Sequence, residues 1–116
     1  MSAKDVAPAE PAAGSSLAHA TAIESGGHAV LLTGPSGAGK SDLALRTIAW
    51  PAAGLGIAPF QLVADDQVLL TIAGDALIAR CPDSIAGRIE VRGLGIIALP
   101  HHPVADVRLV IELVPP

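Results

Sequence analysis

Residues 34–41 read Gly-Pro-Ser-Gly-Ala-Gly-Lys-Ser, a complete phosphate-binding loop of the form G-x-x-x-x-G-K-[ST]. Nothing else in the chain constrains the fold as strongly, because such a loop is entered from a strand and left through a helix. Both flanks meet that demand. Residues 28–33, His-Ala-Val-Leu-Leu-Thr, form an apolar run of strand length, and Asp42 to Ile48 can continue as an amphipathic helix. Each position in the loop has a chemical task. Gly34, Gly37 and Gly39 permit positive φ and, with Ser36 and Ala38, turn backbone N–H groups onto one concave surface that attracts phosphate, while Pro35, which has no N–H, completes the loop. Lys40 can reach β/γ oxygens as a point charge, and the Ser41 hydroxyl is placed to ligate Mg²⁺. The chain is expected to bind a phosphorylated ligand.

The core must be aliphatic: 51% of the 116 residues are hydrophobic but only 2% are aromatic. Val, Leu, Ile and Ala in short runs suit a buried parallel or mixed sheet. A net charge of −4 argues against general nucleic-acid binding, which needs a basic footprint. The single cysteine, Cys81, excludes an intramolecular disulfide and reads as a small buried thiol in a reducing compartment. No apolar run approaches the ~20 residues that span a bilayer, so the expectation is a cytoplasmic protein with no membrane contact. Residues 1–16, rich in Ala, Pro, Ser and Gly, read as a disordered tail, and residues 17–116 as one domain.

The pattern predicts a strand over residues 17–23 containing His19, then a Gly26-Gly27 hairpin turn into the strand before the loop. The helix should end near Trp50, because Pro51 cannot continue it. Residues 51–59 read as a loop and 60–64 as a strand ending in Asp65-Asp66. Residues 67–73 and 76–80 flank a Gly74-Asp75 turn. A short strand is expected over 89–91, leading through residues 92–95 into an apolar run over 96–99, and a last strand over 107–114.

The acid pair follows a strand that itself follows the loop-bearing helix, where phosphate-loop proteins often present a carboxylate. Alternation along an extended segment predicts that Asp65 and Asp66 point to opposite sides, with one facing the phosphate. Glu90 and Arg92 stand two apart and should share a face. They read either as a Mg²⁺ carboxylate with a phosphate-binding guanidinium, or as an exposed ion pair; Gly93 and Gly95 beside them favour the former. His19 on an apolar strand reads from its context as a structural, hydrogen-bonded residue before a catalyst. His101-His102 lack partners at metal-ligand spacing and read as an exposed loop.

Taken together, His19, residues 34–41, Val63-Ala-Asp-Asp66 and residues 89–97, Ile-Glu-Val-Arg-Gly-Leu-Gly-Ile-Ile, resemble the C-terminal catalytic domain of HPr kinase/phosphorylase. The resemblance implies a single α/β domain with a mixed, strand-rich sheet and a nucleotide site like that of phosphoenolpyruvate carboxykinase. It implies phosphoryl transfer from ATP or pyrophosphate to a serine of an HPr-like phosphocarrier, with reversal by phosphate. By the same resemblance Lys40 holds β/γ oxygens, Ser41 and Glu90 hold Mg²⁺, and Asp66 rather than Asp65 accepts the serine proton. Arg92 joins the catalytic set, and His19, 15 residues before Gly34, orients the acid. The resemblance also implies a homo-oligomer, a hexamer.

The sequence also departs from the family pattern. The expectation is a short proteobacterial form without the family's usual N-terminal domain; Asp42 replaces the glutamate usual after the loop serine; and the segment after Leu99 is short. The chain is expected to lack the C-terminal part that supplies a further catalytic arginine, carrier docking and much of the hexamer contact. Two other classes remain open. One is a nucleotide-sensing regulatory domain without transferase activity. The other is a small-molecule kinase, which would want an arginine-rich lid that seven Lys and Arg residues do not form.

Overall fold

The computed structural model describes residues 14–50, 56–82, 86–91 and 93–114. Among these residues the order is β1 (Ser15–Ala18), β2 (Thr21–Ser25), β3 (His28–Thr33), α1 (Lys40–Ala49), β4 (Gln61–Ala64), β5 (Val68–Ala73), β6 (Ala76–Arg80), β7 (Arg88–Val91), β8 (Gly95–Ala98) and β9 (Val104–Glu112). Seven strands form one sheet in the order β1-β5-β6-β9-β3-β2-β4, and β7 and β8 form a separate antiparallel hairpin. Every pairing is antiparallel except β3 with β9. The sheet is mixed, as expected, with one parallel pair of strands, beside the strand that feeds the phosphate loop, and an isolated parallel bridge between Leu62 and His101.

Two very short links give the sheet its shape. Only His19 and Ala20 separate β1 from β2, although β1 is first in the sheet order and β2 sixth of seven. Only Asp65, Asp66 and Gln67 join β4, the last strand of that order, to β5, the second. Links of two or three residues reach roughly 10–14 Å at full extension. The sheet must therefore curl until its ends approach, and both links lie along that seam.

The side chains permit the curl. One face contributes Ala20, Ala22, Ala29, Leu31, Val63, Ala64, Val68, Ala79, Cys81 and Ala105 to a single buried cluster. Most of these are alanines, and small side chains let strands approach closely across the concave side. The other face, with Ile23, Leu32 and Leu62, packs against Ala44, Leu43 and Ile48 of α1 and against Ile89 of the β7–β8 hairpin. Cys81 is buried and its thiol donates to the Pro82 carbonyl at 3.1 Å, as a small core residue should.

The helix begins after Gly39, whose left-handed φ of 102° only glycine adopts without strain, and it stops at Trp50, which is extended. The residue before a proline is disfavoured in helical conformation, which accounts for the stop at the expected place. The Gly26-Gly27 hairpin and the Gly74-Asp75 turn also form as read.

The expected strand over residues 17–23 is corrected. The chain breaks at His19-Ala20, because β1 pairs with β5 while β2 pairs with β3 and β4. The first strand also starts at Ser15, where the Ser15 and Thr71 hydroxyls meet at 2.6 Å, two residues inside the expected tail. Residues 1–13 of that tail, residues 51–55 of the 51–59 loop and Arg92 fall outside the described residues.

Candidate active site

The phosphate loop, the seam of the sheet and the β7–β8 hairpin surround one cleft of about 780 Å³. It is lined by His19, Ser36, Gly37, Gly39, Lys40, Ser41 and Asp42 on one side, Asp65 and Asp66 at the seam, and Glu90, Val91, Gly93, Leu94 and Gly95 of the hairpin. Residues far apart in sequence, His19, the 34–41 loop, the acid pair and Glu90, thus converge.

The loop has the expected backbone. Gly34, Gly37 and Gly39 all take positive φ. Gly34 faces a second restriction, since a Cβ there would lie 2.6 Å from the Leu113 carbonyl oxygen just past β9. The first bond of α1 runs from the Leu43 N–H to the Gly39 carbonyl at 2.9 Å. The N–H groups of Lys40, Ser41 and Asp42 therefore have no acceptor within the helix and stand at its positive end. Lys40 is buried under the loop, and its ammonium donates to the Gly34 carbonyl at 2.7 Å and the Pro35 carbonyl at 3.2 Å. One of its three hydrogens remains for a ligand.

The two aspartates occupy different environments. Asp65 is only 7% exposed. Its Oδ1 accepts from the Thr21 hydroxyl at 3.0 Å and the Ser41 hydroxyl at 2.6 Å, and its Oδ2 accepts from the Glu90 N–H at 3.3 Å. One carboxylate thereby joins β2, α1 and the hairpin. Asp66 has a side chain 63% exposed, with Oδ1 lying 3.3 Å from Nδ1 of the half-exposed His19. The other imidazole nitrogen, Nε2, lies 3.3 Å from the Ser36 hydroxyl.

The reason for this split differs from the expected one. The strand ends at Ala64, so alternation does not apply, and both acids line the cleft. Asp66 is instead turned by a left-handed backbone, φ 72°, the only positive φ of a non-glycine among the described residues. Asp tolerates that region better than most residues. Thr21 holds the turn: fully buried, it donates to Asp65 and accepts the Asp66 N–H at 3.3 Å. Thr21 is the functional residue that sequence reading missed. A threonine in a strand carries no motif, and only its place two residues after His19 set it near the site.

The donor set suits a hard cation. The Ser41 hydrogen is committed to Asp65, which leaves the oxygen lone pairs toward the cleft, and the exposed Glu90 carboxylate lines the same space. Among the described residues no group of three or more His, Cys, Asp or Glu could hold a metal by itself. Asp42 pairs with Arg46 at 3.1 Å on the exposed face of α1. His101 and His102 are exposed and away from the cleft, as read. No helix among the described residues is long and apolar enough to cross a membrane.

Fold and site together define the class, a phosphate-loop domain on a curled, mixed sheet with an acidic seam. The HPr Serine kinase C-terminal domain family matches residues 10–108, and the chain belongs to that family. It is 36% identical over 110 residues to the HPr kinase/phosphorylase of Neisseria meningitidis serogroup C, covering 88% of this chain and 32% of that protein. A Xylella fastidiosa HPr kinase/phosphorylase is 41% identical over 73 residues, covering 62% of this chain and 21% of the relative. Among solved structures, the Hpr(Ser) kinase/phosphatase from Coxiella burnetii superposes with a TM-score of 0.71 at 32% identity, covering 87% of this chain and 67% of that one. The chain spans about a third or less of these curated relatives.

Proposed function

We propose that the domain transfers the γ-phosphoryl group of ATP to a serine hydroxyl of an HPr-like phosphocarrier protein. The observation that carries this reading is the meeting, in one cleft, of an exposed carboxylate with the loop that bears Lys40 and Ser41. The loop N–H groups and Lys40 hold the β- and γ-phosphates. Bound Mg²⁺ would neutralise charge developing on the phosphate oxygens, with Ser41 and Glu90 as its protein ligands. Asp66, open to the cleft, takes the proton of the attacking serine as its oxygen bonds to phosphorus and the bond to the ADP oxygen breaks. His19 orients Asp66, and Asp65 orients Ser41. In the reverse direction inorganic phosphate attacks phosphoserine, pyrophosphate forms, and Asp66 returns the proton; pyrophosphate can likewise serve as donor. Arg92 is proposed to add positive charge near the transferred group, and the active protein is proposed to be a cytoplasmic homo-oligomer, a hexamer by its family.

The test is incubation with γ-labelled ATP, Mg²⁺ and a purified HPr-like carrier, with Lys40→Ala and an acceptor-serine-to-alanine carrier as controls. Label on the carrier serine, lost in both controls, is expected. ATP binding with no transfer would instead favour a nucleotide-sensing regulatory domain.

A further inference from the structure

Three side chains form a line along the rim of the cleft: Ser36, His19 and Asp66, with 3.3 Å between Ser36 Oγ and His19 Nε2 and 3.3 Å between His19 Nδ1 and Asp66 Oδ1. Their chemistry fixes the direction of the bonds. An ionised carboxylate only accepts, so Nδ1 must carry the hydrogen. In the neutral ring Nε2 is then the acceptor, and the Ser36 hydroxyl is its donor. Ser36 itself belongs to the phosphate loop, two residues after Gly34, and lines the same cleft as Lys40. A phosphate oxygen entering that loop competes for the same hydroxyl hydrogen, and a charged acceptor makes the stronger bond.

We propose that Ser36 is a positioning residue that couples occupancy of the phosphate loop to the acid at the seam. With the loop empty, its hydroxyl holds His19 in the Nδ1–H tautomer aimed at Asp66. With phosphate bound, the hydroxyl turns to the ligand and Nε2 is released, so the ring and its grip on Asp66 change together. No bond to phosphorus is made at Ser36; the step is an exchange of hydrogen-bond partners.

The kinetic side of this inference rests on Asp66 being the proton acceptor, but the tautomer does not. Imidazole nitrogen spectra of ¹⁵N-histidine protein identify which nitrogen is protonated in His19, assigned by its loss in His19→Gln. In the ligand-free protein the Nδ1–H form is expected for the wild type and for Ser36→Thr. Ser36→Ala should drift toward the Nε2–H form that an unconstrained neutral histidine side chain prefers. Saturating pyrophosphate should move the wild-type signal toward that of Ser36→Ala. Because the loaded wild type and Ser36→Ala share the released ring, carrier phosphorylation should show kcat little changed in Ser36→Ala, KM for ATP raised roughly three- to tenfold by the lost phosphate hydrogen bond, and recovery in Ser36→Thr. A folded Ser36→Ala whose ligand-free His19 spectrum equals the wild type overturns the coupling. A wild type that shows the tautomer response yet never phosphorylates a carrier overturns the proposed function and leaves the coupling standing.

Discussion

Asp65 and Asp66 are neighbours in the chain but differ sharply in what surrounds them. Asp65 forms the floor of the cleft, buried, with three donors from three separate elements. Asp66 forms the rim, exposed, with a single imidazole against its carboxylate. A buried carboxylate already filled with hydrogen bonds is a poor proton acceptor and a good anchor. An exposed one with open lone pairs can meet a substrate hydroxyl. Two identical side chains thus take on structural and chemical work according to environment alone, and Thr21 keeps them apart by bonding to both.

Substitutions can break that contrast in a graded order. Asp66→Asn keeps the shape and tolerates the left-handed backbone, but cannot take a proton. Carrier phosphorylation should fall about 10²- to 10⁴-fold, or roughly 3–5 kcal/mol of transition-state stabilisation, while the melting temperature stays unchanged. Asp65→Asn should do the reverse. An amide can still accept from Thr21 and Ser41 through its oxygen, but its NH₂ then faces the Glu90 N–H, donor against donor. Chemical denaturation should show a loss of about 1–3 kcal/mol, with weaker Mg²⁺-nucleotide binding by calorimetry. Equal stability of the two variants would erase the distinction between floor and rim.

Thr21→Val removes the hydroxyl shared by both acids at nearly constant volume. A loss of about 1 kcal/mol is expected, with a fall in transfer rate smaller than that of Asp66→Asn, read from denaturant midpoints beside initial rates. Arg46→Ala, which deletes an exposed i,i+4 partner of Asp42, should change stability by only a few tenths of a kcal/mol. A larger change would mean that charge at the start of α1 matters to the fold more than exposed pairs usually do.

The phosphate loop, the helix ending at Trp50 and both glycine turns were legible in the sequence, because each is fixed by residues adjacent in the chain. The seam was not. His19 was expected inside a continuous apolar strand, since periodicity records which side chains are apolar and not which strand each will pair with. The acid pair was expected to follow strand alternation, and the strand ended one residue too soon. Asp65 was identified as a candidate, but its contact with Ser41 depends on the curl of the whole sheet, which no local pattern encodes. Glu90 came to the cleft as read, and Thr21 was invisible because its task is to bridge two residues 44 and 45 positions away.

The edge strand β1 adds a consequence for motion. It has four residues, pairs among the described residues with β5 alone, and buries none of its side chains fully. Segments with so few buried contacts open at a small fraction of the free energy of global unfolding. When β1 peels from β5, His19 leaves with it, while Thr21, Asp65 and the phosphate loop remain seated in β2, the seam and α1. Slow amide exchange at the floor and fast exchange in β1 would therefore coexist in one intact domain, and the rim would come and go while the fold persists.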